Sequence, residues 1–164
     1  MTSSPQGFDD AHALKCELAG EVLRSSGTLR LQVMGWSMLP SVWPGDTLVV
    51  ESVNSNAVSI GDIVLFGRDR RLFAHRVVAK RSRSGDSQVV TRGDAMPGVD
   101  SPLSEDELLG RVSLIVRNGK CIEPSRSLRF SERAVAALVR GSEVAARVVV
   151  GVHGMRQASQ DSSS

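Results

Sequence analysis

Near the N-terminus, hydrophobic side chains follow a helical period. Between residues 9 and 26 they recur at intervals of three and four residues, which places them on one face of an α-helix. The positions are Ala11, Leu14, Leu18 and Val22. Asp9 suits the start of such a helix and Gly27 suits the position just after its end. The pattern predicts one short amphipathic helix that ends near Ser25.

From Thr28 to about Ile122 the pattern changes to short runs rich in Val, Leu and Ile, separated by turn residues. The runs span residues 29–34, 47–52, 62–66, 72–80, 87–92 and 108–117. Gly-Asp pairs lie at 45–46, 61–62, 85–86 and 93–94. The gaps are too short for the crossover helices of a parallel sheet. A mainly β protein is therefore predicted, with a small, partly open antiparallel β-barrel or sheet.

After Pro124 the helical period returns. Arg133, Arg140 and Arg147 lie seven residues apart, opposite an apolar face of Val, Leu and Ala. The segment is amphipathic but carries too much charge to cross a bilayer. Packing on the protein itself or on a partner is one interpretation. The alternative is peripheral contact with a membrane surface through residues 132–150.

These changes divide the 164 residues into four parts. They are a tail with the first helix (1–27), a β domain (28–123), a C-terminal helical segment (124–156) and a Ser/Gln-rich tail predicted to be disordered (157–164). With 41% hydrophobic residues the chain can form a core. Its basic stretches lack interleaved aromatics, so nucleic-acid binding is not expected. No cofactor or metal is predicted.

Cys16 and Cys121 lie far apart without metal-ligand spacing. Two buried free thiols are predicted, with a disulfide between them as the alternative. No segment approaches the roughly 18 apolar residues of a membrane span, and the N-terminus lacks a signal pattern. The expected location is the cytoplasm, with peripheral attachment to the membrane left open.

The segment Gly35-Trp36-Ser37-Met38-Leu39-Pro40 follows an alternating run and precedes Pro44-Gly45-Asp46. A serine there can present its hydroxyl at the end of a strand, with a backbone N–H free to bind an oxyanion. It can equally be a turn residue that hydrogen-bonds its own backbone. A nucleophilic serine needs a base, and of the three histidines only His75 lies within a predicted strand.

The order of the motifs distinguishes these possibilities. Gly-x-Ser-Met-x-Pro, Pro-Gly-Asp, Gly-Asp-Ile-Val-x-Phe, His-Arg-Val-Val and Thr-Arg-Gly-Asp follow one another within residues 29–117. This order resembles the signal peptidase I superfamily of serine peptidases, which includes the self-cleaving SOS repressors. The resemblance implies that Ser37 is the nucleophile. His75 stands where typical bacterial enzymes carry a lysine base, as in the Ser/His subtype of the endoplasmic reticulum and archaea.

The resemblance further implies that Asp94 or Asp100 is the catalytic acid. An imidazole, with its ordinary pKa near ~6.5, can accept a serine proton at neutral pH, and a carboxylate can orient it. Arg76 and Arg92 are alternative partners for either carboxylate.

Residues Gly35, Trp36 and Met38 are implied to form the oxyanion and substrate-binding surroundings. The chain departs from the family at Gly35, where many members have a serine, and at Trp36, where a small residue is usual. The family's transmembrane anchor is not seen at either end.

The sequence therefore predicts a serine endopeptidase that cleaves an extended peptide or precursor segment. One alternative is a self-cleaving regulator of the SOS-repressor type. The other is a binding module that kept the fold and lost the chemistry.

Overall fold

The computed structural model of the protein describes residues 5–83, 86–128 and 130–140. Two α-helices lie in these ranges, α1 (Pro5–Ser26) and α2 (Phe130–Arg140), with a 3₁₀ turn at Ser55–Ala57. The strands of the same ranges are β1 (Thr28–Gln32), β2 (Thr47–Glu51), β3 (Ile63–Arg68), β4 (Arg71–Arg83), β5 (Asp86–Arg92), β6 (Leu108–Arg117) and β7 (Lys120–Ile122). All six predicted strands form, and β7 is additional.

The strands make one antiparallel sheet in the order β1-β2-β6-β3-β4-β5, with β7 paired to β6. The sheet does not close on itself, because β1 and β5 each pair with a single neighbour. The prediction of a mainly β, partly open antiparallel fold with a helix on each side in sequence is confirmed. The Gly-Asp pair at 85–86 lies partly outside the described residues.

Strand β3 is buried on both of its faces, so each face of the sheet has its own packed cluster. Ile63 and Leu65 point into a cluster with Leu23 of α1. Val64 and Phe66 point into a second cluster on the other face. A strand buried on both faces reads as a continuous apolar run rather than an alternation. The sequence Ile-Val-Leu-Phe has that character.

Helix α1 packs through a different face from the one that defined its amphipathic pattern. Leu14, Leu18 and Val22 are exposed, whereas Ala19 and Leu23 are buried. Small residues let the helix approach the sheet closely, since a side chain added at Gly20 would already touch Leu109 of β6. The helix ends at Ser26, and Gly27 follows with a positive φ of 75° as a helix C-terminus favours.

Helix α2 packs on the protein itself within its described length. Val139 is buried in a cluster with Leu39 and Ala95, and Val135 packs against the same cluster together with Trp36 and Trp43. Residues 141–150 of the predicted amphipathic segment and the tail at 157–164 lie outside the described residues. None of the described helices combines the length and the apolar character needed to span a bilayer.

Both cysteines are free thiols, but the prediction that both are buried is wrong for Cys121. Cys121 is exposed because β7 is a three-residue strand that pairs only with β6 and buries none of its residues. Cys16 is half-buried on α1. Burial, together with the charge of Glu17, raises the pKa of the Cys16 thiol.

Candidate active site

Ser37 opens a tight turn that follows β1. Two backbone hydrogen bonds of 2.8 Å hold Val33 against Gly45 and Asp46, so the chain stays extended up to the turn. The side chains of Met38 and Leu39 are buried and anchor the turn from below. Ser37 itself is only half-buried, and its Oγ lies 3.1 Å from Nε2 of His75. The turn thus presents the hydroxyl toward the histidine.

His75 lies in the middle of β4, opposite Val64 of β3. Its side chain is 7% exposed. The imidazole packs edge-on against Phe66 with ring centroids 5.7 Å apart, and Phe73 lies 5.9 Å away on the same side of the sheet. Aromatic packing on this scale restricts the ring to a narrow range of orientations. Strand pairing and packing therefore direct one ring nitrogen at Ser37.

The second ring nitrogen of His75 faces a carboxylate. Nδ1 lies 2.7 Å from Oδ2 of Asp100, and the Thr91 hydroxyl donates to the same oxygen at 2.7 Å. Burial alone would raise the pKa of Asp100. The hydrogen bonds from His75 and Thr91, with the charges of His75 and Arg68, outweigh burial and lower it. Asp100 is therefore ionised at neutral pH.

Ionisation of Asp100 determines the tautomer of His75. An ionised carboxylate only accepts hydrogen bonds, so the proton of a neutral imidazole must sit on Nδ1. Nε2 then carries a lone pair and accepts the hydrogen bond of the Ser37 hydroxyl across 3.1 Å. This is the arrangement that removal of a serine proton requires.

Asp94, the other predicted acid, lies in a separate buried network. Arg76 donates to it twice, from Nε and Nη2 at 2.8 Å each, and the Ser41 hydroxyl donates at 2.5 Å. Arg76 also donates to the carbonyl oxygens of Gly61 and Ser125. Of the two arginines proposed as carboxylate partners, Arg76 is thus the one that pairs with Asp94. The network ties the nucleophile turn to β4.

Gly93, which the sequence marks only as part of a turn, lies against both Ser37 and His75. A Cβ atom there would lie 2.7 Å from the carbonyl oxygen of Ser37 and 3.2 Å from Nε2 of His75. Two residues after Gly93, Ala95 donates its N–H to the same Ser37 carbonyl oxygen at 2.9 Å. The missing side chain at Gly93 allows the turn to approach the dyad.

The three residues predicted to surround the nucleophile differ in their placement. Gly35 is exposed, with open space where a side chain would lie. Trp36 is half-buried and packs against the cluster of Leu39, Ala95 and Val139. Met38 is a core residue whose side chain is buried. In the described part of the chain no acceptor engages the N–H of Ser37, which leaves it available to a substrate.

Several residues close in sequence to Ser37 and Asp100 are exposed. Met34, three residues before the nucleophile, is 84% exposed, and Val99, next to Asp100, is 61% exposed. Positions Gly35 and Gly98 face empty space. Across residues 5–83, 86–128 and 130–140, no three His, Cys, Asp or Glu side chains converge as metal ligands would.

The model of the peptidase S24-like family matches residues 3–112, which is more than half of the sequence and includes Ser37, His75 and Asp100. No curated protein matches the chain significantly. The match agrees with the motif order and with the open antiparallel sheet. The chain therefore belongs to the peptidase S24-like family, within the superfamily of signal peptidases and self-cleaving repressors.

Proposed function

We propose that the protein is a serine endopeptidase in which Ser37 is the nucleophile, His75 the general base and Asp100 the orienting acid. The observation that carries this proposal is the continuous line of contacts, with Ser37 Oγ 3.1 Å from His75 Nε2 and His75 Nδ1 2.7 Å from Asp100. Three side chains in these roles form the arrangement used for acyl transfer.

The reaction follows from these contacts. Ser37 Oγ attacks the carbonyl carbon of the scissile peptide bond while His75 Nε2 takes its proton. The carbonyl oxygen becomes an oxyanion, for which the unengaged N–H of Ser37 is a donor. His75 then returns the proton to the departing amine, and the C–N bond breaks. Water, activated by the same imidazole, hydrolyses the acyl-serine and regenerates the hydroxyl.

The open surroundings favour an endopeptidase over an enzyme that trims chain ends. A continuous polypeptide must extend past the nucleophile in both directions, which a closed pocket would prevent. Met34 shortly before Ser37 and Val99 next to Asp100 are both exposed, as a site that admits a continuous polypeptide requires. Their apolar side chains suit a segment that carries hydrophobic residues near the cleaved bond.

A serine-reactive phosphonate probe tests the nucleophile directly. We expect the wild type to be labelled at Ser37, and Ser37→Ala to lose both labelling and hydrolysis of an extended peptide. Ser41→Ala is the matched control, because Ser41 lies on the same turn but donates to Asp94. It should keep labelling per folded molecule. Wild type that is folded yet neither labelled nor active would identify the protein as a binding module instead.

Self-cleavage is the second candidate, because the superfamily to which the S24-like family belongs includes self-cleaving repressors. Helix α1 precedes the catalytic sheet, and a helical backbone must unwind before a serine can attack it. Mass spectrometry of the purified protein after incubation measures this activity. A fragment that forms in the wild type and not in Ser37→Ala would assign self-cleavage, and an intact chain that hydrolyses added peptide would assign the endopeptidase.

A further inference from the structure

Asp100 lies on a surface loop that joins β5 to β6. The loop is tied to β5 by two backbone hydrogen bonds of 2.8 Å, from Asp100 N–H to Thr91 and from Leu103 N–H to Val89. The residues on either side of Asp100 are exposed, namely Pro97, Gly98, Val99, Ser101 and Pro102. Leu103 is also buried, in the cluster of Val64 and Phe66, so the loop is anchored on the side of β5. The position of the carboxylate depends in addition on what holds the other side of the exposed residues around it.

Arg68, the last residue of β3, holds that other side. Its Nη1 donates to the carbonyl oxygen of Ser101 and its Nη2 to that of Pro102, both at 3.1 Å. Glu107 in turn accepts a hydrogen bond from Nε at 2.6 Å and another from Nη2 at 2.8 Å. This pair of bonds fixes the orientation of the guanidinium. The two residues after Asp100 are thereby attached to the central strand of the sheet.

The same guanidinium contacts the support of the base. It lies 5.7 Å above the ring of Phe66, and that ring packs edge-on against His75. Arg68 thus touches the loop that carries the acid and the aromatic ring that steadies the imidazole. It contacts neither Ser37 nor the reacting nitrogen of His75 within the described residues, so its influence on the site is indirect.

We propose that Arg68 is a positioning residue that sets Asp100 against Nδ1 of His75 by clamping the Ser101 and Pro102 carbonyls. This role rests on the proposed function of Ser37, His75 and Asp100 as a catalytic unit. Its mechanism is geometric. A displacement of about 1 Å in such a unit can cost on the order of 10²-fold in rate. The fork of donors matters as well as the charge, since a guanidinium holds its N–H groups in a fixed planar fork, whereas a lysine ammonium is a compact point charge on a flexible stem.

Arg111 provides a matched control. It is an arginine on the neighbouring strand β6, 32% exposed against 22% for Arg68, and it pairs with Glu51 and Asp62 at 3.8 and 3.9 Å. Neither of these two carboxylates belongs to the loop that carries Asp100. Replacing either arginine by glutamine removes one charge from the same sheet. Only Arg68→Gln removes the hydrogen bonds that hold the loop carrying Asp100.

The experiment compares wild type, Arg68→Gln, Arg68→Lys and Arg111→Gln well below their unfolding temperatures. We expect Arg68→Gln to lower kcat for a peptide about 10–100-fold and to leave KM within about two-fold. Arg68→Lys should stay impaired, and Arg111→Gln should match wild type. The Nδ1 proton of His75 gives a low-field NMR resonance when bonded to a carboxylate. That signal should weaken in both Arg68 variants, with Asp100→Asn as the reference for its loss.

Other results would overturn the proposal. Full activity in Arg68→Lys would mean that charge alone is required. A loss in Arg68→Gln that only follows the unfolded fraction, or an equal loss in Arg111→Gln, would mean a general stability effect. The NMR resonance of the His75 Nδ1 proton can be recorded without catalysis, so it tests the positioning role of Arg68 separately from the proposed peptidase function. If wild type is inactive but its signal still depends on Arg68, the proposed function fails and the positioning role stands; an unchanged signal refutes the positioning role.

Discussion

Exchanging the carboxylates at positions 94 and 100 for amides should have opposite consequences. Both aspartates matched the acid of the family in sequence, and the structure puts them in different networks. We expect Asp94→Asn to reduce stability severely. We expect Asp100→Asn to fold almost normally and to lose nearly all activity.

The magnitude for Asp94 follows from its burial and its partners. Its side chain is 4% exposed and that of Arg76 is 9% exposed. Removing one charge leaves the other buried and unpaired, which costs about 3–5 kcal/mol. That is a large part of the roughly 5–15 kcal/mol that stabilises an ordinary domain. For a chain of this size it corresponds to a fall of roughly 6–20 °C in Tm.

For Asp100→Asn we expect a smaller loss of stability than for Asp94→Asn, and a larger loss of activity. Its side chain is 26% exposed and accepts hydrogen bonds from His75 and Thr91. Weakening them costs about 1 kcal/mol. An amide at this position can turn its oxygen away and leave the imidazole in the other tautomer, with Nε2 protonated toward Ser37. Loss of the correct tautomer lowers kcat by about 10⁴-fold in a comparable triad.

Urea unfolding measures the first effect and the rate of probe labelling measures the second, at a temperature where both variants are folded. The reasoning is refuted if Asp94→Asn unfolds like wild type and cannot be labelled while Asp100→Asn keeps its labelling rate. That result would assign the orienting role to Asp94. A similar loss of stability in both variants would contradict the estimate from burial.

Three further predictions concern other residues. Gly93→Ala should slow labelling at least about 10-fold, because its methyl group would push the nucleophile turn and the imidazole apart, whereas Gly98→Ala, which faces open space, should not. Glu107 has its pKa lowered from 4.5 to about 2, chiefly by the hydrogen bond from an arginine, so its stabilisation is complete above pH 4.5 and is lost as the pH falls toward 2. After allowance for solvent screening, the unfolding free energies of wild type and Glu107→Gln should differ by about 1–2 kcal/mol at pH 7 and converge near pH 2. Leu23→Ala should cost about 2–5 kcal/mol in chemical denaturation, and Leu18→Ala less than about 0.5.

Each of these has a contradicting outcome. Equal labelling of both glycine variants would mean that the turn has room to spare beside the dyad. A difference between wild type and Glu107→Gln that persists at pH 2 would show that the stabilisation does not come from the ionised carboxylate. Equal costs for the two leucines would mean that helix α1 packs through the face that its sequence pattern displays.

The sheet and the proximity of Ser37 to His75 could be predicted from sequence because both leave clear sequence signals. Runs of β-branched residues and Gly-Asp turns mark strands directly, and the motif order makes Ser37 and His75 the candidate catalytic pair. The packing face of α1 was not accessible. Leu14 and Leu18 give a strong helical period, but Ala19 and Gly20 allow the closer approach to the sheet, and an amphipathic pattern carries no information on which neighbour is near.

The choice between Asp94 and Asp100 was also beyond the sequence. Both are acidic residues after β5, and a Gly-Asp turn made Asp94 the more conspicuous. What separates them is the face of the sheet that each reaches. Asp94 meets Arg76, whose side chain lies opposite to that of His75 on β4, while Asp100 returns over the His75 face through its bond to Thr91. That depends on the path of a loop.

Among the described elements, helix α2 is synthesised after every residue of the candidate site, although it packs beside Ser37. Chains are made from the N-terminus, and the turn, the base and the acid all precede Phe130. Until α2 emerges, Leu39 and Ala95 lack the apolar cover that Val139 supplies. We expect nascent chains that end before Phe130 to be poorly labelled by a serine-reactive probe, and full labelling of such chains would contradict this. A peptidase built in this order would reach its active geometry only after α2 has been synthesised.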